Sequence, residues 1–381
     1  MSLVSFSFPT PTLFGVGAVA ELPARLQRLA LRRPLVVTDP GLLRTDAFAR
    51  LQSVLSPASG WVLFSGVHPN PVEQDVLDGV AAYRSGQCDS VIAFGGGSAL
   101  DVGKAIRLWI KRPDLKLAEF DWQADWTGLP LFIAIPTTAG TGSEVGRSSV
   151  ITVAATHRKK VLFQPELLAR LVILDPELTR GLPAPLTAAT GADALTHCIE
   201  SFTCPVFHPL CDGIALEGIR LVIDALPRAY RNGGDLDARG LMLVAAAMGA
   251  IAFQKDLGAT HSLAHPLSTI CGLHHGLANA LCLPAVMELN ARRKPGLYRR
   301  VGLAAGLNVV EVADAEADRL TIAFIKSFLA DLGLRTRLRE HGVTEGHLDA
   351  LVAQAFDDPC HQTNAVPVTA DDLRDLYREV L

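Results

Sequence analysis

Short β-branched runs alternate with helical stretches through the first half of the chain, and after Leu174 the strands stop. Pro34-Leu35-Val36-Val37-Thr38-Asp39 and Trp61-Val62-Leu63-Phe64 read as strands. Residues 71–85 read as a helix with Val72, Val76, Val80 and Tyr83 on one face. Ser90–Phe94 is the next strand, and it runs into Gly95-Gly96-Gly97-Ser98 and a helix from Ala99 to about Trp109. Leu131–Ile135 and Leu171–Leu174 complete the set. Such alternation produces a doubly wound, mostly parallel sheet, because each crossover lays a helix on one sheet face. From Pro185 onward the pattern is helical and rich in Ala and Leu. The expected architecture is an α/β N-terminal domain, residues 1–180, followed by an all-α C-terminal domain, residues 181–381, with the boundary around Gly181-Leu182-Pro183. With 381 residues, 49% of them hydrophobic, the chain has apolar material for a core in each.

The junction at Gly95–Ser98 is a candidate dinucleotide loop. Glycine lacks the Cβ that keeps a pyrophosphate away from backbone N–H groups, and a helix N-terminus adds partial positive charge. Gly96, Gly97 and Ser98 are the candidate contacts, Ser98 also as a helix cap; a plain tight turn is the alternative. Gly15-Val16-Gly17-Ala18-Val19-Ala20 fits GxGxxA too, but only Pro9, Pro11 and a brief apolar stretch precede it. It reads as a turn into a helix. Asp39 ends its strand, where a carboxylate either accepts ribose hydroxyls and repels a 2′-phosphate or caps the turn at Pro40-Gly41. Pro136–Glu144 is a second polar loop, offering phosphate or nicotinamide contacts or an ordinary Gly/Thr turn.

The second half carries sharper chemistry. Asp193 and His197 are four apart in a helical run, which puts them one turn apart on one face. His261 and His265 repeat the spacing, and His274-His275-Gly276 follows. A lone helical histidine is normally a hydrogen-bonded core or surface residue, but five of 11 histidines and an aspartate in apolar segments are hard to explain that way. Aspartate and imidazoles without a nearby cysteine suit Fe2+ or Zn2+. The spacing alone does not choose among His261, His265, His274 and His275.

Composition excludes several other classes. The net charge is −4, with no Lys/Arg run and no aromatic–basic interleaving, so no nucleic-acid or anionic-membrane partner is expected. The seven cysteines are odd in number and lack CxxC spacing, which argues against a disulfide framework and for a reducing cytoplasm. The start lacks a signal-peptide pattern, and no apolar run reaches the ~18–20 residues of a membrane span.

Taken in order, these segments resemble the iron-containing (group III) alcohol dehydrogenases. Gly95-Gly96-Gly97-Ser98-Ala99-Leu100-Asp101-Val102-Gly103-Lys104-Ala105 is similar to the family's GGGSxxDxxKA, and Pro136–Glu144 to its PTTAGTGSE. Ala188–His197 and His261–Leu267 resemble its two longest signatures, and the similarity runs from about residue 8 to 378. The resemblance implies a dinucleotide-binding domain, a helical domain and an active site between them. It implies Asp193, His197, His261 and His275 as metal ligands, with His265 near the nicotinamide as proton relay or orienting group. Asp39, Asn70, Gly96, Gly97, Ser98, Asp101, Thr137, Thr138 and Lys159 are its implied cofactor contacts. The implied activity is reversible hydride transfer between a small alcohol or aldehyde and NAD, with Fe2+, or Zn2+ in its place, as Lewis acid, in a homodimer or higher homo-oligomer. Glycerol dehydrogenases, dehydroquinate synthases and maleylacetate reductases are related branches. The Asp/His/His/His set argues against the metal-free maleylacetate branch. A dehydroquinate-synthase-like lyase would need basic residues around the histidines, and none cluster there.

Two segments depart from the family pattern. Asp358-Pro359-Cys360-His361-Gln362-Thr363-Asn364-Ala365 resembles DxCxxTNPR without the final Pro-Arg. Phe253-Gln254-Lys255-Asp256 brings charges where many members carry small polar residues. Lys255 is then either a cation for an acidic substrate tail or, more simply, a solvated lysine paired with Asp256 or another acid.

Overall fold

The computed structural model describes residues 8, 10–55, 60–153, 158–334 and 336–381; Pro9, named above, lies outside them. The described residues form two compact units, Phe8–Leu182 and Pro183–Leu381. The first unit contains β1 (Thr12–Phe14), β2 (Pro34–Val37), β3 (Val62–Phe64), β4 (Ser90–Gly95), β5 (Leu131–Pro136), β6 (Ser148–Val153), β7 (Arg158–Phe163) and β8 (Leu171–Leu174). Its helices are α1 (Leu22–Arg28), α2 (Asp46–Leu55), α3 (Glu73–Ser85) and α4 (Gly97–Lys111).

Six strands form one sheet in the order β1-β8-β5-β4-β2-β3, with every pairing parallel. The runs of β2, β4, β5 and β8 are apolar on both faces because both faces are covered. Val36, Ile92, Phe94, Ile133 and Ile173 pack with Leu22 and Leu26 of α1 and Phe48, Leu51 and Leu55 of α2. On the other face α4 approaches so closely that a Cβ on Gly103 would lie 2.8 Å from that of Ala93. The crossover from β2 leads outward to β3, whereas that from β4 leads the other way to β5. The strand order therefore reverses between β2 and β4, and a crevice at the carboxyl ends of such strands is where open α/β sheets bind ligands.

Two elements depart from the sequence reading. The brief apolar stretch before Gly15 is an edge strand, β1, with Leu13 in register with Ile173. β6 and β7 form a separate antiparallel hairpin, Val150 opposite Val161. Its half-polar strands lack the continuous apolar run that marks a buried parallel strand.

The second unit is helical: α5 (Ala184–Thr203), α6 (Pro209–Arg231), α7 (Leu236–Ala252), α8 (Ala259–Cys271), α9 (His275–Arg293), α10 (Arg299–Ala304), α11 (Asp314–Asp331), α12 (Leu348–Asp357) and α13 (Ala370–Val380). Leu263, Leu267, Leu281, Val286, Leu351 and Tyr377 from α8, α9, α12 and α13 share one core. The span Leu236–Lys255 is apolar and long enough to cross a bilayer. Its helix, α7, instead packs against α5 and α6, and burial inside a bundle accounts for that composition.

The Gly15–Ala20 loop has an occupant from its own chain. The fully buried Asp175 accepts from Gly17 N and Val19 N at 3.1 Å each and from Glu177 N at 3.1 Å. The amides a phosphate would need are therefore filled by a carboxylate. Asp175→Ala should lower stability by about 3 kcal/mol, because buried amides lose a charged acceptor. The measurement is the urea midpoint at unchanged m-value. A midpoint equal to the parent's removes the structural role assigned to this loop.

Candidate functional site

In the first unit, the proposed nucleotide residues gather at the carboxyl ends of β2 to β5. Gly95 has φ +154°, and a Cβ on it would meet that of Ala99 at 2.7 Å; one on Gly97 would meet Thr141 Cγ2 at 2.8 Å. Only glycine lets this loop pass between α4 and the loop after β5. Helix α4 opens at Gly97 with Gly96 as its N-cap and no side-chain cap, so Ser98 is not the cap proposed above. Its first N–H groups have no intrahelical acceptor and carry the positive end of the helix dipole.

Asp39 takes the turn-capping role weighed for it through one oxygen. Oδ1 accepts from Gly41 N at 2.9 Å and Leu42 N at 3.2 Å, while Oδ2 lies beside Gly95 with no donor among the described residues. Asn70 sits at φ +51°, a conformation asparagine tolerates better than most residues, and the next carbonyl, of Pro71, accepts from Thr152 N at 2.7 Å. Thr137 N donates to Gly95 O at 3.0 Å, and Thr138 Oγ1 would meet a Cβ on Gly96 at 3.4 Å.

Asp101 is held by partners from the segment after β5. Its carboxylate accepts from Ser143 Oγ at 2.7 Å and Val150 N at 3.1 Å. Burial pushes its pKa up, opposed by Lys104, Ser143, Val150 and Lys159. Lys159 stands opposite Thr152 in the hairpin. The buried Lys104 donates to Ser143 Oγ at 2.8 Å and Ser148 O at 2.7 Å, and burial brings its pKa down to about 8. Together these groups hold the Thr137–Ser143 loop from beneath.

In the second unit, three helices bring four candidate donors around Asp193 Oδ1, and the ligand atoms of Asp193, His261 and His275 all lie within 4.8 Å of one another. Asp193 and His197 come from α5, His261 from α8 and His275 from the first turn of α9. The Nε2 atoms of His197, His261 and His275 lie 3.8, 3.9 and 3.5 Å from Asp193 Oδ1. His197 and His261 stack at 4.7 Å. His265 stands beside this set, its ring stacked on His275 at 5.2 Å, and His274 is an exposed residue at the start of α9. The geometry thus groups His261 and His275, but not His265 or His274, with Asp193.

Residues behind the set fix its chemistry. The buried Glu200 accepts from His261 Nδ1 at 2.6 Å, Thr260 N at 2.7 Å and Gly258 N at 3.1 Å. Burial opposes its charge, but these hydrogen bonds hold its pKa below the ordinary carboxylate value. A Cβ on Gly258 would come within 2.7 Å of Glu200 Oε1, so this approach requires glycine. With its Nδ1 proton given to Glu200, His261 presents a lone pair on Nε2 to another acceptor, Asp193. Asn279 Nδ2 lies 3.2 Å from the Nε2 atoms of both His261 and His275, so an amide donor stands where a cation would draw on the same acceptor atoms. Two donors on one tetrahedral ion, each at ~2.0–2.2 Å, are themselves roughly 3.4 Å apart, close to the separations here. The donor set therefore fits a divalent metal. Asn279, one turn after His275, donates to Asp193 Oδ1 at 2.7 Å.

His265 is held separately. Its Nδ1 lies 2.7 Å from Asp358 Oδ2, while Oδ1 accepts from Ser262 Oγ at 3.0 Å and Cys360 N at 2.9 Å. Although burial opposes it, the hydrogen bond from His265 keeps Asp358 well below the usual carboxylate range. Donor atoms of His265, Asp358 and Cys360 lie within 4.8 Å of one another. The carboxylate is already taken up by these partners, so the group reads as a device for orienting His265. Sequence spacing missed Glu200, Asn279 and Asp358 as supports; the first two lie at i+3 from His197 and i+4 from His275.

Lys255 is paired with an acid, as the simpler of its two readings had it, but it is buried rather than solvated. It is 2% exposed, donates to Phe202 O at 3.3 Å and pairs with Asp212, not Asp256. Its ammonium is used inside the bundle.

Family models match the chain in two consecutive parts. That described as iron-containing alcohol dehydrogenase covers residues 9–176, and that described as Fe-containing alcohol dehydrogenase family, C-terminal, covers residues 187–381. The 4-hydroxybutyrate dehydrogenase of Cupriavidus necator is 40% identical over 95% of this chain and 96% of its own. The NAD-dependent methanol dehydrogenase of Bacillus methanolicus is 31% identical over 100% of both chains. The crystal structure of a 1,3-propanediol oxidoreductase superposes with a TM-score of 0.96 at 32% identity, covering 100% of both chains.

Glu200→Gln tests the support of the metal set. An amide offers one acceptor oxygen where the carboxylate offers two, so His261 loses its fixed tautomer. Metal affinity should fall by ~10–100-fold, as second-shell losses do, read by competition with a chromophoric chelator. Affinity within twofold of the parent's would remove Glu200 from this role.

Proposed function

The chain belongs to the iron-containing alcohol dehydrogenase family and is an oxidoreductase of that class; from this premise we propose that it interconverts a small alcohol and its aldehyde with NAD, using a divalent metal held by Asp193, His197, His261 and His275. The observation that carries the metal reading is the convergence of three imidazole Nε2 atoms on one oxygen of Asp193 at 3.5–3.9 Å. Fe2+ suits this donor set, with Zn2+ an alternative. When bound, the ion supplies Lewis-acid polarisation of the substrate oxygen, and the nicotinamide accepts or donates the hydride.

The chain's own residues do the rest. Gly96, Gly97 and Ser98 offer N–H groups to the pyrophosphate at the start of α4. Asp39 Oδ2 accepts the adenosine ribose hydroxyls. Asn70, Thr137 and Thr138 line the same strand ends, Lys159 is offered from the β6–β7 hairpin, and Asp101 acts through Ser143 by holding the loop after β5. His265, with Nδ1 given to Asp358, keeps Nε2 for moving the proton or orienting the nicotinamide.

The relatives' names span methanol, propanediol and 4-hydroxybutyrate, so they leave the far end of the substrate open. The cysteines form no disulfide, which supports a reducing cytoplasm. A homodimer or larger assembly is in keeping with exposed apolar side chains such as Phe207, 66% exposed.

Three variants test this reading. His197→Ala should lose both bound metal and nearly all turnover while retaining NAD affinity, whereas His265→Ala should retain metal and lose turnover. Metal analysis, NAD titration and alcohol-dependent NAD reduction on the same samples decide it, and stoichiometric metal with full activity in His197→Ala would refute the ligand set. Asp39→Gly should narrow the preference for NAD over NADP by ~1–3 kcal/mol, the scale of a hydrogen bond to a charged group. A parent enzyme that already favours NADP would contradict the role given to Asp39.

A further inference from the structure

The side-chain amide of Asn279 stands among the proposed metal ligands. Asn279 lies on α9, one turn after His275, and is fully buried. Its Nδ2 is 2.7 Å from Asp193 Oδ1 and 3.2 Å from the Nε2 atoms of both His261 and His275. An ionised carboxylate only accepts hydrogen bonds, so the amide turns its nitrogen to Asp193. Its Oδ1 is buried and takes no hydrogen bond from any described residue. A buried carbonyl without a donor is unfavourable, so the side chain is kept in this pose by what its nitrogen does.

This places Asn279 differently from Glu200. Glu200 takes the Nδ1 of His261 and leaves its Nε2 for another partner. A support of that kind, behind the ligand, strengthens metal binding. Asn279 instead meets the ligand atoms themselves. A carboxylate oxygen has more than one lone pair, so Asp193 can serve an N–H and an ion together. The unprotonated nitrogen of a neutral imidazole has one. The Nε2 of His261, and likewise that of His275, can face the Asn279 amide or an ion, but not both. Two N–H groups set against three acceptor atoms hold the rings and the carboxylate together without satisfying all of them.

We propose that Asn279 is a positioning residue that competes with the metal ion for His261 and His275. Its amide keeps the two rings and Asp193 gathered, and it gives up the rings while retaining Asp193 when the ion is bound. The form in which the amide engages the rings does not bind the ion, so its population weakens the net affinity and leaves the metal exchangeable. The inference rests on the ligand set proposed above.

The test loads the parent, Asn279→Leu and Asn279→Ala with Zn2+ and titrates each with a chromophoric chelator. Leucine keeps most of the volume of asparagine without its donor, and alanine removes both. The variants should hold Zn2+ at least about tenfold more tightly than the parent, within the range that changes beside a ligand produce. The melting temperature of the chelated variants should fall by more than that of the loaded ones, because only the chelated form loses the contacts to the rings. An affinity within twofold of the parent's, or weaker, in either folded variant overturns the proposal. An equal fall in melting temperature with and without metal, the mark of a purely structural side chain, overturns it too. A readout on the parent needs no variant: with 15N-labelled asparagine, at least one buried side-chain NH2 pair should move when Zn2+ is added to the chelated protein, and no movement overturns the proposal. A parent that binds no divalent metal overturns the ligand set and this inference with it, whereas a parent that binds metal beside variants of unchanged affinity overturns the inference alone.

Discussion

Asp193 Oδ1 and the Nε2 atoms of three histidines meet inside the helical unit, with the Asn279 amide as a donor to them. Asp193, 2% exposed, faces His261, 1% exposed, whose remaining ring nitrogen is committed to Glu200. Much of the helical unit follows from keeping that arrangement. Asp193, His197 and Glu200 share one helix, so α5 provides two of the proposed ligands and the support of a third. Glu200 also takes the Gly258 and Thr260 amides at the start of α8, which ties the helix carrying His261 to the helix carrying Asp193. Asn364 adds to that junction, accepting from Ala259 N at 3.2 Å and donating to Asn290 Oδ1 at 2.8 Å. The segment that lacks the family's Pro-Arg therefore still performs a structural task. Its Asp358 orients His265, and its Asn364 anchors the helix on which His265 sits.

The fold class was legible because both of its periodicities were strong. Four of the five strands read from the sequence are apolar on both faces, and the fifth, β3, is an edge strand bounded by polar residues and glycine. β1 was too short to register, and the β6–β7 hairpin too polar. The histidine pairs were legible as a metal pattern because i, i+4 spacing survives any rotation of a helix. The choice among the four later histidines was not, since it depends on how α8 and α9 pack. His265 lies one turn from His261 yet is turned toward Asp358, a residue 93 positions away. Glu200 looked like any helical acid until the start of α8 was placed against it.

Adjacent charges show the same limit. Lys255 and Asp256 look like neighbours able to neutralise each other, and a chain read as a string pairs them. The short helical turn at Phe253–Lys255 and the positive φ that follows send the two side chains to different surroundings. Lys255 goes inward to Asp212 of α6, while Asp256 stays at the surface of the turn. Charge pattern along the sequence predicts pairing only where the backbone is regular.

The two glycine patterns of the first unit make the converse point, that similar backbone shapes take their function from what fills them. Gly15–Ala20 and Gly95–Ala99 both lead from a strand into a helical turn. The amides of the first meet Asp175, fixed at the end of β8 and fully buried. An anionic ligand there would have to displace a carboxylate that has no other place to go. The amides of the second open at the reversal of the strand order, and the one carboxylate close by, Asp39, is occupied with its own turn through Oδ1. Among the described residues no side chain caps the start of α4, which leaves the loop at Gly95 a candidate for an anion from outside. A motif of this kind becomes a binding site only where the fold has left its donors without an internal partner.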